Sequence, residues 1–450
     1  MTLPVAILGG GWAGCAAAAT LAANGVPVVI HEAAPILGGR ARRVERDGLS
    51  LDNGQHLLLG AYEATFALFD RVHGERAARS LLIRRPLAIV PFSAAQTGAL
   101  TLHARRAPGR LGLLIGLVAA AGLSLSERWA NLKWFRAIER AGFRRPADET
   151  VARMLSPLPP RVARLLWEPL CLAALNTPVA TASAQVFANV LRAAFGGDGD
   201  AADFVLPATD LTALLPDGVA RYVAERGGRV RTDTRAQVVS ADREGAWVAV
   251  QGRGEPAAAA IVAVGPHRLA QAFAPEMLAA HPALASALGA FAALDYEPLV
   301  TVWSGYAALV AMPGPIARLD DAPGQWVIDR PDILARAAPS SRPAIAQLLS
   351  VVISAGGPHM KMAHDDLARA VDAQLRRLRP ALPACAWSQV VAEKRATYAC
   401  TPRRVRAAGP RFAPGVYLAG DYVDAEFPAT LEAAVRSGVA AAEAFLADRR

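Results

Sequence analysis

Residues 5–32, VAILGGGWAGCAAAATLAANGVPVVIHE, constrain the fold more than any other stretch. The apolar run Val5–Leu8 has the texture of an interior parallel strand. Gly9, Gly11 and Gly14 follow in G-x-G-x-x-G spacing, and the alanine-rich segment after them is a strong helix former. Asn24–Gly25 reads as its C-cap, and Val26–Ile30 as a second strand leading to Glu32. The spacing has a physical reason. Gly9 permits a tight turn, Gly11 lets backbone approach a pyrophosphate, and Gly14 lets helix and strand pack closely. The helix start then faces the anion. A carboxylate at Glu32 is placed to accept hydrogen bonds from ribose hydroxyls. The unit reads as a dinucleotide site.

The next residues bear on which dinucleotide. Leu37-Gly38-Gly39-Arg40 is a second glycine-rich turn, with a cation suited to a phosphate or a flavin edge. A polar island, Asp52, Gly54, Gln55 and His56, lies between apolar segments. Near the C-terminus, GVYLAGDYVDAEFPATLEAAV reads as a strand, Gly420–Asp421, a loop, and a helix starting near Thr430, with Leu431 in its first turn. A second helix start preceded by Gly-Asp suits the ribityl and pyrophosphate part of a long cofactor. NAD does not require this distant element; FAD does.

These motifs in combination resemble the flavin amine oxidase/phytoene desaturase superfamily. The middle segments WEPLCLAALNTPVATASAQVF, YEPLVTVW and WVIDR, with DNGQHLLLGAY, resemble one branch of it. That branch is the squalene-associated FAD-dependent desaturases, the hydroxysqualene dehydroxylases of hopanoid synthesis. The resemblance implies an α/β fold: a Rossmann-like FAD-binding domain assembled from residues 1–75, 205–270 and 405–450, and an α+β substrate domain from 76–204 and 271–404. It implies noncovalent FAD held by Gly9, Gly11, Gly14, Glu32, Gly39, Arg40, Gly420, Asp421 and Leu431, with Val238 beside the adenine. Simple strand packing is the other reading of Val238. The implied reaction is reductive dehydroxylation of a C30 isoprenoid, fed by an external reductant for which NADPH is a candidate source. Desaturation of a carotenoid precursor and non-catalytic prenyl-lipid binding are the alternatives on the same fold.

For proton chemistry the candidates are His56, whose titration range suits an acid near neutral pH, and Glu426, in the loop before the last helix. A backbone-bonded structural histidine and a solvated loop carboxylate are the competing readings. Glu168 has the character of an orienting or structural group. Tyr62, Tyr296 and Tyr422 have no distinguishing context.

Composition narrows the partners. The chain has 450 residues, 53% apolar and 19% charged, which suits a large core or contact with lipid. Its formal charge of +9 comes almost wholly from arginine, and no basic run interleaved with aromatics suggests nucleic acid. Four scattered cysteines argue against a zinc site or disulfide framework, and the N-terminus reads as a strand, not a signal peptide. Leu111–Leu125 is uncharged but shorter than the roughly 20 residues a spanning helix needs. Arg105, Arg106 and Arg110 precede it, Arg128, Lys133 and Arg136 follow, and Trp129 and Trp134 stand where interfacial aromatics would. It reads either as a monotopic helix dipping into a bilayer or as a buried helix of the substrate domain. The first reading places the protein in the cytoplasm, peripheral on the inner face of the cytoplasmic membrane.

Overall fold

The computed structural model describes residues 3–96, 98–104, 111–145, 149–197, 199–340, 343–404 and 409–449, with backbone alone at Leu111, Leu113 and Leu114. Its centre is a six-stranded sheet. Strand β1 (Val5–Leu8) pairs in parallel with β2 (Val28–His31) on one side and with β4 (Ala259–Val262) on the other. Beyond β2 lies β3 (Arg229–Arg231). Beyond β4 lies β6 (Val416–Leu418), edged by the antiparallel β5 (Arg411–Ala413). The order β3-β2-β1-β4-β6-β5 reverses direction at β1, so a crevice opens at the carboxyl ends of β1 and β4. All residues of β1, β2 and β4 are buried, which explains why they are continuous apolar runs and not alternating ones.

Helix α1 (Trp12–Ala23) is buried on nearly every face. It packs on the C-terminal helix α2 (Leu431–Asp448) and on helices Pro216–Ala224 and Glu63–His73. Alanine makes this possible, because small side chains let helix axes approach. At Gly438 a Cβ would stand 2.1 Å from the Ala13 carbonyl oxygen, so the two ends of the chain meet backbone to backbone.

Between β3 and β4 the chain makes an antiparallel meander, Ala236–Ala241, Ala246–Val250 and Arg253–Ala257. Between β4 and β6 it builds a five-stranded antiparallel sheet, ordered Ile316–Arg318, Trp326–Asp329, Gln347–Ser354, Tyr296–Tyr306 and Cys385–Tyr398. Helix His364–Leu378 lies against this sheet through Leu367, Val371 and Leu375. A helical block occupies much of 111–196, held by an aromatic cluster in which Trp167 meets Trp134 and Phe135 and donates to the Asn131 side chain.

The apolar run Leu111–Leu125 is not one continuous helix. The helix ends at Ala119; Ala121 then pairs with Thr101, and Gly122 takes a positive φ of 88°. A new helix, Leu125–Arg140, starts from a capping box between Ser124 and Glu127. Trp134 is buried and donates to the Met154 carbonyl, so it is a core residue and not an interfacial one. Arg105, Arg106 and Arg110 lie outside the described residues. Among the described residues no helix is long and apolar enough to cross a membrane.

The close contact at Gly438 yields a direct test. Gly438→Ala gains about 1 kcal/mol of helix propensity but overpacks a site that costs about 1–3 kcal/mol to open. The variant is expected to unfold at lower urea concentration than the wild type; an unchanged or raised midpoint would contradict the backbone contact.

Candidate active site

The glycine loop leaves β1 with Gly9 at φ 105°, where a Cβ would press on the Ala263 carbonyl oxygen at 2.7 Å. At Gly14 a Cβ would lie 2.0 Å from the Gly9 carbonyl oxygen, so that glycine is what lets α1 sit on the loop. Gly11 differs. Its φ is an ordinary −69°, and no atom lies within 4 Å of where its Cβ would stand. Packing does not demand glycine there; the open space lies directly before the start of α1. No side chain caps that helix start and no acidic residue stands in its first turn. Its positive pole is therefore left for an anion, as a pyrophosphate cradle requires.

The second turn is laid on the first. The Gly38 amide donates to the Gly10 carbonyl at 2.9 Å, and Gly39, at φ 61°, brings its Cα region against Gly11. Glu32 accepts from the Gly10 amide at 2.7 Å and the Ala34 amide at 2.8 Å. It thus shapes the loop as well as ending β2. Each oxygen keeps a further lone pair for a ribose hydroxyl.

At the far end of the chain, the Gly420 amide donates to Ser437 Oγ at 2.9 Å, and a Cβ on Gly420 would strike the Tyr422 ring. Thr430 caps α2 by accepting from the Ala433 amide, and Leu431 opens the helix. Asp421 is buried, and its Oδ1 lies 2.7 Å from Arg40 Nη2. Arg40 also donates from Nη1 to the Ala396 carbonyl at 2.8 Å. Both terminal nitrogens of Arg40 are thus engaged by protein, and one of them holds Asp421. Val238 is wholly buried, and its carbonyl accepts from the Ala274 amide at 2.9 Å, as strand packing requires.

His56 stands in the loop after strand Leu49–Asp52. Its Nδ1 is 3.1 Å from the Gly54 carbonyl, which puts the ring proton on Nδ1. Burial pushes its pKa down to about 4, only partly offset by that hydrogen bond. It is neutral at pH 7 and is not the imidazolium acid the sequence suggested. Glu426 is about half exposed and ion-paired to Arg192 at 3.3 Å and Arg436 at 3.0 Å. It edges a polar cavity of about 230 Å³ shared with Ala61 and Asn189, a space too small and too charged for a C30 hydrocarbon. Glu426 is therefore a surface ion-pair residue.

Two groups of residues to which the sequence assigns no chemical role come together here. Arg330, from WVIDR, is 1% exposed. It grips Asp332 through Nε and Nη2 at 2.8 and 2.9 Å and donates from Nη1 to Gln55 Oε1 at 2.9 Å. Gln55 Oε1 also accepts from Ser350, its amide donates to Thr301 Oγ1, and its Nε2 donates to the His56 carbonyl. Asp52, 4.0 Å from Arg330, is pushed up to about 7 by burial, against the pull of that cation and the Leu211 amide. DNGQH, YEPLVTVW and WVIDR thus share one buried network. The second group is Tyr296 and His267. Tyr296 opens the strand that begins YEPLVTVW, and its hydroxyl is 3.5 Å from His267 Nδ1. His267 follows the Val264–Gly265 turn at the end of β4, at the crevice. Burial raises the phenol's pKa and Arg40 pulls it back. Tyr296 is a neutral donor beside a cation.

A doubly wound sheet with an open anion cradle, a second helix start supplied by the other end of the chain, and a large sheet-and-helix insertion over the crevice define a flavin-dependent oxidoreductase. The chain belongs to the flavin containing amine oxidoreductase family, whose model matches residues 12–446. It is 28% identical to the hydroxysqualene dehydroxylase of Rhodopseudomonas palustris over 100% of both chains. It is 26% identical to that of Sinorhizobium fredii, over 99% of this chain and 98% of the relative. Its fold superposes on an oxidoreductase from Methanosarcina mazei with a TM-score of 0.72 at 15% identity, covering 97% and 99% of the two chains.

Because Gly11 has no protein neighbour to clash with, Gly11→Val is expected to fold with a thermal midpoint close to wild type and to purify without flavin. A colourless, unfolded variant would contradict the reading of Gly11 as a ligand-space residue; a fully yellow one would move the pyrophosphate elsewhere.

Proposed function

We propose that the protein is an FAD-dependent enzyme that reduces hydroxysqualene to squalene. The observation that carries the substrate is end-to-end similarity to two hydroxysqualene dehydroxylases, spanning both the nucleotide sheet and the inserted sheet. FAD is held noncovalently. Gly9, Gly11, Gly14 and the start of α1 take the pyrophosphate, Glu32 the adenosine ribose, and Asp421 with the start of α2 the ribityl end. When bound and reduced, FAD supplies a hydride equivalent.

The remaining chemistry falls to the chain. The substrate hydroxyl lies next to a double bond, so its departure leaves an allylic cation. Hydroxide is a poor leaving group, and a proton must arrive as the bond breaks. Tyr296 is the donor in this reading. It is neutral at pH 7, half-buried, and close enough to Arg40 for that charge to stabilise the phenolate it leaves. The transferred proton leaves as part of water, and the phenolate takes a replacement from solvent through His267, whose Nδ1 lies 3.5 Å behind the phenol. His56, neutral and tied to Gly54, helps form the wall. Arg330 holds that wall to the inserted sheet through Gln55, which keeps water from the cation. An external donor, with NADPH as a candidate source, restores the reduced state.

Incubating reduced enzyme with hydroxysqualene, followed by mass analysis, is expected to give squalene. Tyr296→Phe is expected to slow turnover by roughly 10²–10⁴-fold with flavin content unchanged. An unchanged rate removes Tyr296 from the reaction. Intact hydroxysqualene, together with new double bonds introduced into a saturated isoprenoid by oxidised enzyme, would replace the dehydroxylase by a desaturase.

A further inference from the structure

The two helices that break the Leu111–Leu125 run leave an apolar cap on the surface. Leu125 is 73% exposed, Trp129 68%, Val118 47% and Ile115 37%. These side chains sit on two adjoining helices. Arg128 donates to the Val118 carbonyl at 3.1 Å and to the Leu123 carbonyl at 3.1 Å, which ties the first helix to the start of the second. The opposite face of the second helix is anchored by Asn131, Trp134, Phe135 and Ile138. Isolated exposed apolar residues need no explanation, but a contiguous cap of this kind marks a contact surface.

Charge decides the partner. Along the exposed stripe of helix Leu125–Arg140, the residues after Leu125 and Trp129 are Lys133, Arg136 and Arg140, all exposed. Glu127, near the tip, is turned back into the capping box and toward Arg161 at 4.0 Å. The surface is therefore an apolar tip with a tryptophan at its rim and a row of cations behind it. That order matches a bilayer, with acyl chains, then the interfacial layer, then anionic headgroups. A protein partner would not require the cations to follow the apolar residues in one line.

We infer that the tip formed by Ile115, Val118, Leu125 and Trp129 docks the enzyme on an anionic lipid surface. The first helix, nine residues long, dips into one leaflet and does not cross it. This docking rests on the surface alone and holds whichever lipid the active site accepts.

The test is co-sedimentation of the full-length flavoprotein with vesicles of phosphatidylcholine, with and without phosphatidylglycerol. Wild type is expected to sediment with the anionic vesicles and to be released by salt. Trp129→Ser is expected to weaken partition roughly tenfold or more, as befits loss of one large buried apolar side chain. Lys133→Gln and Arg136→Gln should each weaken it about fivefold. Both kinds of variant should keep wild-type thermal midpoints and flavin content, because the altered side chains are exposed. Wild type remaining in the supernatant, or variants sedimenting like wild type, would overturn the inference. So would a wild-type oligomer that Trp129→Ser converts to monomer, since the cap would then belong to a second copy.

Discussion

The guanidinium of Arg40 joins three parts of the molecule that the chain keeps far apart. Its turn is bonded to the first glycine loop through Gly38. One nitrogen holds the Ala396 carbonyl, in the longest strand of the inserted sheet, and another holds Asp421, 381 residues away, between β6 and α2. Asp421 is almost wholly buried, and an unpaired carboxylate there would be costly. Losing one member of a fully buried pair costs about 3–5 kcal/mol. Arg40 is more than a third exposed, so water repays part of that. The pair sets where the second helix start stands relative to the first, and hence the span available to a cofactor held between them. The backbone contact between Gly438 and α1 supports the same geometry from behind.

Arg330 does for the inserted sheet what Arg40 does for the cradle. A guanidinium that is 1% exposed survives in a core only when it is paired and hydrogen-bonded. Asp332 accepts from two of its N–H donors and Gln55 from a third. The consequence is that the loop carrying His56 cannot shift without breaking a charge-assisted network. Asp52, held near neutrality between burial and this cation, completes it without facing the crevice.

The cradle was legible because its residues are local and their spacing is geometric. Gly9, Gly11, Gly14 and Glu32 fall within one strand–helix–strand unit, and each glycine answers to a distance or to an open space. The inserted sheet was legible only in outline, since its five strands pair across long separations that no periodicity records. Arg40 was recognised as a cation, but its partner lies at the other end of the chain. Tyr296 and Arg330 lie inside YEPLVTVW and WVIDR, where nothing local distinguishes them from packing residues; burial and the partners they meet do. The ordinary titration range of histidine makes His56 an acid candidate in the sequence, and burial removes that range. Glu426 is near Asp421 in sequence, but the loop between them turns it out to Arg192 and Arg436. The Leu111–Leu125 run was uniform in hydropathy, so the turn at Gly122 and the cap at Ser124 were hidden inside it.

The central claim is that this cradle and crevice serve electron transfer into an allylic alcohol, with protons supplied by the chain. Its most direct test is anaerobic single turnover. Enzyme reduced by one equivalent is mixed with hydroxysqualene, and the flavin spectrum is followed while squalene is quantified. The account predicts that the flavin returns to its oxidised spectrum with one squalene formed per flavin and no other oxidant present. Flavin that stays reduced while the alcohol persists would contradict it.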